Sequence, residues 1–99
     1  MIRGTTPTHT FMIPLHTASI ADLRISYAQS DQEILVKKIE DCFLEGNTIK
    51  VTLTQEDTFL FDCKKTVAIQ VRVKTLDGTA LSSEIITVKV GKCLNNEVL

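Results

Sequence analysis

The sequence predicts an all-β protein, an immunoglobulin-like antiparallel β-sandwich of six to seven short strands. Three observations carry that expectation. Apolar residues repeat with a period of two in several short runs, which buries one face of a strand and wets the other. Gly, Asn, Asp and Ser punctuate those runs at intervals of roughly 8–15 residues. No strand–helix–strand alternation occurs, so a parallel sheet is not expected.

The clearest run is "VAIQVRVKTLDGTALSSEIITVKV", from Val67 to Val90. Val67, Ile69, Val71 and Val73 alternate with Ala68, Gln70, Arg72 and Lys74. Beyond a turn at Asp77-Gly78, Ile86, Val88 and Val90 alternate with Thr87 and Lys89. Gly78 accepts the positive φ that such a turn demands. Ile85 and Ile86 are adjacent and cannot both face inward in a regular strand, so "LSSE" is expected to hold a bulge.

Upstream, "LRISYAQ" puts Leu23, Ile25 and Tyr27 on one face, and "EILVKK" puts Ile34 and Val36 on one face. Ser30-Asp31-Gln32 between them makes a second hairpin. "TIKVTLT" turns Ile49, Val51 and Leu53 inward after a turn at Glu45-Gly46-Asn47. "HTFMIPL" carries Phe11, Ile13 and Leu15, and its Pro14 marks an edge strand or a strand end. Two segments are short helical turns: "TASIADL", and "TQEDTFLF" with Thr54 as N-cap and Glu56 and Asp57 in the first turn. The second is too short to stand alone, so Phe59 or Phe61 must anchor it.

The 99 residues make a single domain, residues 1–99, with one core. That core must be mostly Val, Ile and Leu, because the chain has four Phe, one Tyr and no Trp. The absence of Trp also removes the Cys…Trp…Cys signature of antibody domains. Residues 1–8, "MIRGTTPT", lack apolar alternation and read as a flexible arm, either frayed or ordering on a neighbour's sheet edge. The C-terminal "NNEVL" ends with two apolar residues after a polar pair and reads as a second docking point.

Composition narrows the function. Eleven basic residues face twelve acidic ones for a net charge of −1, without the concentrated positive field that nucleic-acid binding needs. Lys37-Lys38 and Lys64-Lys65 read as solvated strand ends. No run of about 18 apolar residues exists to span a membrane as a helix, and the N-terminal residues do not read as a secretion signal. Cytoplasmic localisation is the expectation.

Chemistry is sparse. Cys42, Cys63 and Cys93 are an odd count without a CxxC pair, and both histidines lie far from them, so three reduced thiols are expected rather than a zinc site or disulfide. His9 and His16 would face opposite sides of one strand and read as solvated or turn residues. Glu40-Asp41 and Glu56-Asp57 are adjacent pairs whose carboxylates point apart on a strand, unlike the facing pair of a glycosidase. Asp31, Glu33 and Asp41 lack the ligand spacing of a calcium loop. No catalytic, cofactor-binding or metal-ligating residue is expected, and no enzyme activity.

Three stretches carry a resemblance. "RGTTPTHTF", "LTQEDTFLF" and "VRVKTLDGTALSSEI" together resemble small proteins encoded among the tail and baseplate genes of tailed phages and prophages of Gram-positive bacteria. The order of segments is similar to the N-terminal β-sandwich domain of a phage baseplate upper protein, which attaches receptor-binding parts to the tail. The matching positions serve strands and turns, so no functional residue carries over. The resemblance implies a non-enzymatic structural or assembly protein that docks to itself or to tail and baseplate proteins through strand edges and termini. It would act in the bacterial cytoplasm during assembly and in the virion tail, without nucleic-acid, membrane or small-molecule partners. The alternative is a small immunoglobulin-like module binding a host-surface glycan or protein.

Overall fold

The computed structural model describes residues 1–99. Eight strands form: β1 (Thr8–Met12), β2 (Ile20–Gln29), β3 (Gln32–Lys38), β4 (Cys42–Glu45), β5 (Thr48–Thr52), β6 (Val67–Thr75), β7 (Ala80–Ser82) and β8 (Ile86–Val88). One sheet has the order β1-β5-β4; the other runs β3-β2-β6-β7, with β8 also paired to β6. Every strand pairing within them is antiparallel. β7 and β8 share one lane beside β6, so eight segments fill seven lanes of a two-sheet sandwich.

The alternation in β6 sets the middle of the core. Val67, Ile69, Val71 and Val73 are buried, as are Leu23, Ile25 and Tyr27 of β2, which lie beside them in register. Ile49 and Val51 of β5, with Leu53 and Phe61, fill the core from the other side. Thr54 caps a five-residue helix, α1 (Gln55–Phe59): its hydroxyl accepts from the Asp57 N–H while the Asp57 carboxylate accepts from the Thr54 N–H. Phe61, 1% exposed, anchors α1 to the core.

The turns hold register. Gly78 has φ +89° in the β6–β7 turn, where the Asp77 carboxylate accepts from the Thr75 hydroxyl and the Thr79 N–H. Ser30 and Asp31 join β2 to β3 as a two-residue turn with φ +50° and +61°, the pattern of a type I′ turn built without glycine. The expected bulge near "LSSE" is present. Val73 pairs with Leu81 but Ile69 with Ile86, one residue out of step, and the Ser83 hydroxyl accepts from the Val71 N–H across the gap.

Three features depart from the reading of the sequence. β4 was not legible as a strand; Cys42 and Leu44 turn toward the core opposite Val51 and Ile49. Ile34 and Val36 do not share one inward face. Tyr27 pairs with Leu35 and Ala28 with Glu33, so Ile34 is the extra residue of a bulge that still packs, partly buried, against the core, whereas Val36 opposes Ser26 on the outer face. Leu35 and Lys37 are the inward pair, opposite Tyr27 and Ile25.

The third departure concerns residues 1–8, expected as a flexible arm. They are tied down by backbone. Ile2 bridges Gly91 in parallel, the Arg3 N–H donates to the Gly91 carbonyl, and the Gly91 N–H donates to the Met1 carbonyl. The Leu53 N–H donates to the Pro7 carbonyl. The buried Thr58 hydroxyl accepts from the Gly4 N–H at 2.9 Å and donates to the Thr5 carbonyl at 2.9 Å. Gly4, at φ +79°, leans on Phe59 so closely that a Cβ would stand 2.6 Å from the ring.

Candidate interaction surface

The polar groups that look most like a site lie between the sheets. His9 of β1, paired with Val51, faces inward, and its Nδ1 shares a 2.8 Å hydrogen bond with the Tyr27 hydroxyl. Tyr27 is wholly buried and packs in turn on Phe61. Burial, and then the positive chain terminus, lowers the His9 pKa from its ordinary value. Burial, with Cys42 and Asp57 nearby, raises that of Tyr27. Lys37 and Asp57 form an ion pair of 2.8 Å, each side chain 15% exposed. Burial pulls the Asp57 carboxyl upward, but the Lys37 ammonium and the Thr54 cap outweigh it and hold the pKa low.

This cluster has little chemical reach. Burial, reinforced by Asp41, pushes the Cys42 thiol up to about 11, which keeps it protonated and weakly nucleophilic near neutrality. The Tyr27 hydroxyl is spent on His9, and Asp57 is spent on Lys37 and the helix cap. The arrangement fastens β1 to β2 and β3 to α1.

The other weighed residues scatter. His16 is exposed and its Nδ1 accepts from the Ala18 N–H, capping a 3₁₀ turn at Thr17–Ser19. Cys42, Cys63 and Cys93 are unbonded to one another and partly buried. Glu40, Glu56, Asp31 and Glu33 are exposed. No group of three or more His, Cys, Asp or Glu side chains converges. No helix is long and apolar enough to cross a membrane.

Reach lies instead along the outer lane of the five-stranded sheet. The Thr75 N–H donates to the Thr79 carbonyl and the Ser83 N–H to the Val71 carbonyl. In an antiparallel ladder this alternation turns the backbone groups of Leu81 toward β6 and those of Ala80 and Ser82 away from it. Apolar side chains crowd the same lane: Leu81 is 41%, Ile85 62% and Ile86 49% exposed. Beside Leu81 an apolar cleft of about 190 Å³ opens against Val71 and Val73, bounded by Met12, Ile13 and Leu15. Further along, at Lys89 and Gly91, the N-terminal residues occupy the outward backbone groups.

The outer face of this sheet is basic, a feature missed in reading the sequence. Lys38 stands opposite Arg24, Arg24 opposite Arg72, and Arg72 opposite Ser82, in one row across four lanes. In the next row Lys74 lies between Asp22 and Ala80. Asp22 is bound to Arg24 at 2.6 Å, and that contact holds the Asp22 carboxyl below its ordinary pKa. Arg24, Arg72 and Lys74 line a groove of about 230 Å³.

The chain matches no protein-family model, no curated protein and no solved structure.

Proposed function

We propose that the protein is a non-enzymatic structural or assembly component of a phage or prophage tail, docking to itself or to tail and baseplate proteins through an open strand edge. The observation that carries this reading is the β7–β8 lane, where outward backbone groups at Ala80 and Ser82 adjoin exposed Leu81, Ile85 and Ile86. Natural sheets normally blunt such an edge with charge, proline or a covering element. Here β7 is Ala-Leu-Ser and β8 is Ile-Thr-Val, with Glu84 in the bulge between them the one charge of the lane, which favours strand addition by a partner at β7. The phage context rests on the sequence resemblance alone. It places the protein in the bacterial cytoplasm during assembly and in the tail of the particle.

The glycan-binding alternative has weaker support. Sugar sites favour exposed aromatic platforms, yet Tyr27 is wholly buried, Phe61 is 1% exposed, and Phe43 is the one large exposed aromatic. A pull-down against tail and baseplate proteins, run beside a glycan array, separates the two. Retention of an identified tail protein with a blank array supports the docking role. Glycan binding without protein retention overturns it.

A further inference from the structure

We infer that the free edge of β7 takes an extended partner segment with Asp or Glu at every second position and apolar residues between them. The inference rests on the docking role proposed above and specifies the partner's chemistry. Three features converge on it.

The first is the backbone. Ala80 and Ser82 are exposed and point their N–H and C=O groups away from β6, so the next strand can pair there. The second is charge. A strand added beside β7 continues the two outer-face rows, Lys38–Arg24–Arg72–Ser82 and Asp22–Lys74–Ala80. Neighbouring lanes lie about 4.8 Å apart, so the new residues stand about 10 Å from the backbones of Arg72 and Lys74. Ala80 and Ser82 are too short to block the way, so an extended Arg or Lys side chain and a carboxylate side chain reaching from the added strand can meet above them. Like charges directly opposite on neighbouring strands destabilise a sheet. Asp22 neutralises Arg24, whereas Arg72 and Lys74 are exposed without an ion pair. Carboxylates on the incoming strand would supply their partners.

The third feature is the opposite face. Residues of the added strand that alternate with the carboxylates point to the side where Leu81 and the cleft lined by Met12, Ile13 and Val73 lie. Apolar side chains fit there. Two residues apart on a strand is also the spacing of Arg72 and Lys74, so the pattern acid–apolar–acid matches both faces at once. A nucleic acid would have no use for the free backbone edge or the cleft, and the net charge of −1 offers it no long-range attraction.

The test titrates the full chain with two synthetic peptides of about seven residues, alternating Glu with Val or Lys with Val, a length that matches an ordinary strand. Backbone-amide NMR shifts report the site. The Glu peptide is expected to perturb Ala80, Leu81 and Ser82, and to bind more weakly as salt rises. The Arg72→Glu, Lys74→Glu double variant, with its melting temperature as the folding control, should lose at least about tenfold in affinity for the Glu peptide and gain for the Lys peptide. Equal binding of both peptides at Ala80–Ser82 would overturn the acidic partner and leave edge docking standing. So would failure of the Glu peptide while a cross-linker at Ser82 still captures a tail protein. Unchanged Glu-peptide affinity in the double variant overturns it as well.

Discussion

The Nζ of Lys37 lies 2.8 Å from the Oδ2 of Asp57, joining the edge strand β3 to the first turn of α1. Both side chains are 15% exposed, so the pair is poorly solvated, and Asp57 also closes the helix cap through the Thr54 N–H. Removing Lys37 would leave the carboxylate uncompensated. We expect Lys37→Met to cost about 1–3 kcal/mol at pH 7 in chemical denaturation. The depressed Asp57 pKa supplies stability that is fully present above the unfolded value near 3.8 and is lost as pH falls through the folded value. Lys37→Met should therefore also flatten the loss of stability below pH 4. Wild-type stability at pH 7 and an unchanged acid limb would show that the pair contributes nothing.

Thr58 is the pin for the N-terminal residues. Its side chain is fully buried, accepting from Gly4 and donating to Thr5. Thr58→Val keeps the shape but strips the hydroxyl, leaving the Gly4 N–H without that partner. The expected loss is about 1–3 kcal/mol, with faster amide exchange at Gly4. Deleting residues 1–7 should lower the melting temperature as well. An unchanged melt in both variants would mean that these residues do not rest on α1.

Turn chemistry gives a pair of opposite effects. Gly78→Val places a β-branched residue at φ +89° and should cost about 1–3 kcal/mol. Asp31→Gly relieves a non-glycine residue at φ +61° in the Ser30-Asp31 turn and should stabilise by about 0.5–1 kcal/mol. Thermal melts of the two variants moving in the same direction would contradict the turn assignments.

His9 gives the molecule a mild acid sensitivity. Its folded pKa lies below 6.5 because burial disfavours the imidazolium. The stability from keeping it neutral is full above pH 6.5 and is lost as pH falls through the folded value. His9→Gln should be less stable at pH 8, having lost the bond to Tyr27, and should show a flatter profile between pH 7 and 5. A profile as steep as wild type would assign the sensitivity to another group.

Much of the fold was legible because local signals agreed with tertiary demands. Val67 to Val73 alternate without interruption, Gly78 needs its positive φ, and Thr54 with Asp57 writes a cap in four residues. β4 was hidden because four residues are too few to show a period. The inward face of β3 was misjudged because the bulge at Ile34 shifts the alternation by one, which puts Lys37 inside. The N-terminal residues were misjudged because their bonds are mostly backbone, from Gly4 and Pro7 among others, and leave no apolar pattern. The basic row could not be read at all. Lys38, Arg24 and Arg72 come from three strands and become neighbours only once the register is set.

The most direct test of the docking account is site-specific photo-cross-linking during particle assembly. The cross-linking residue is placed at Ser82 on the β7 edge or at Thr52 on the outer face of the other sheet, and captured proteins are identified by mass spectrometry. The account predicts capture of a tail or baseplate protein, or of a second copy of the chain, from Ser82 and not from Thr52. Capture from Thr52 alone, or from neither position in cells that assemble complete particles, would contradict it.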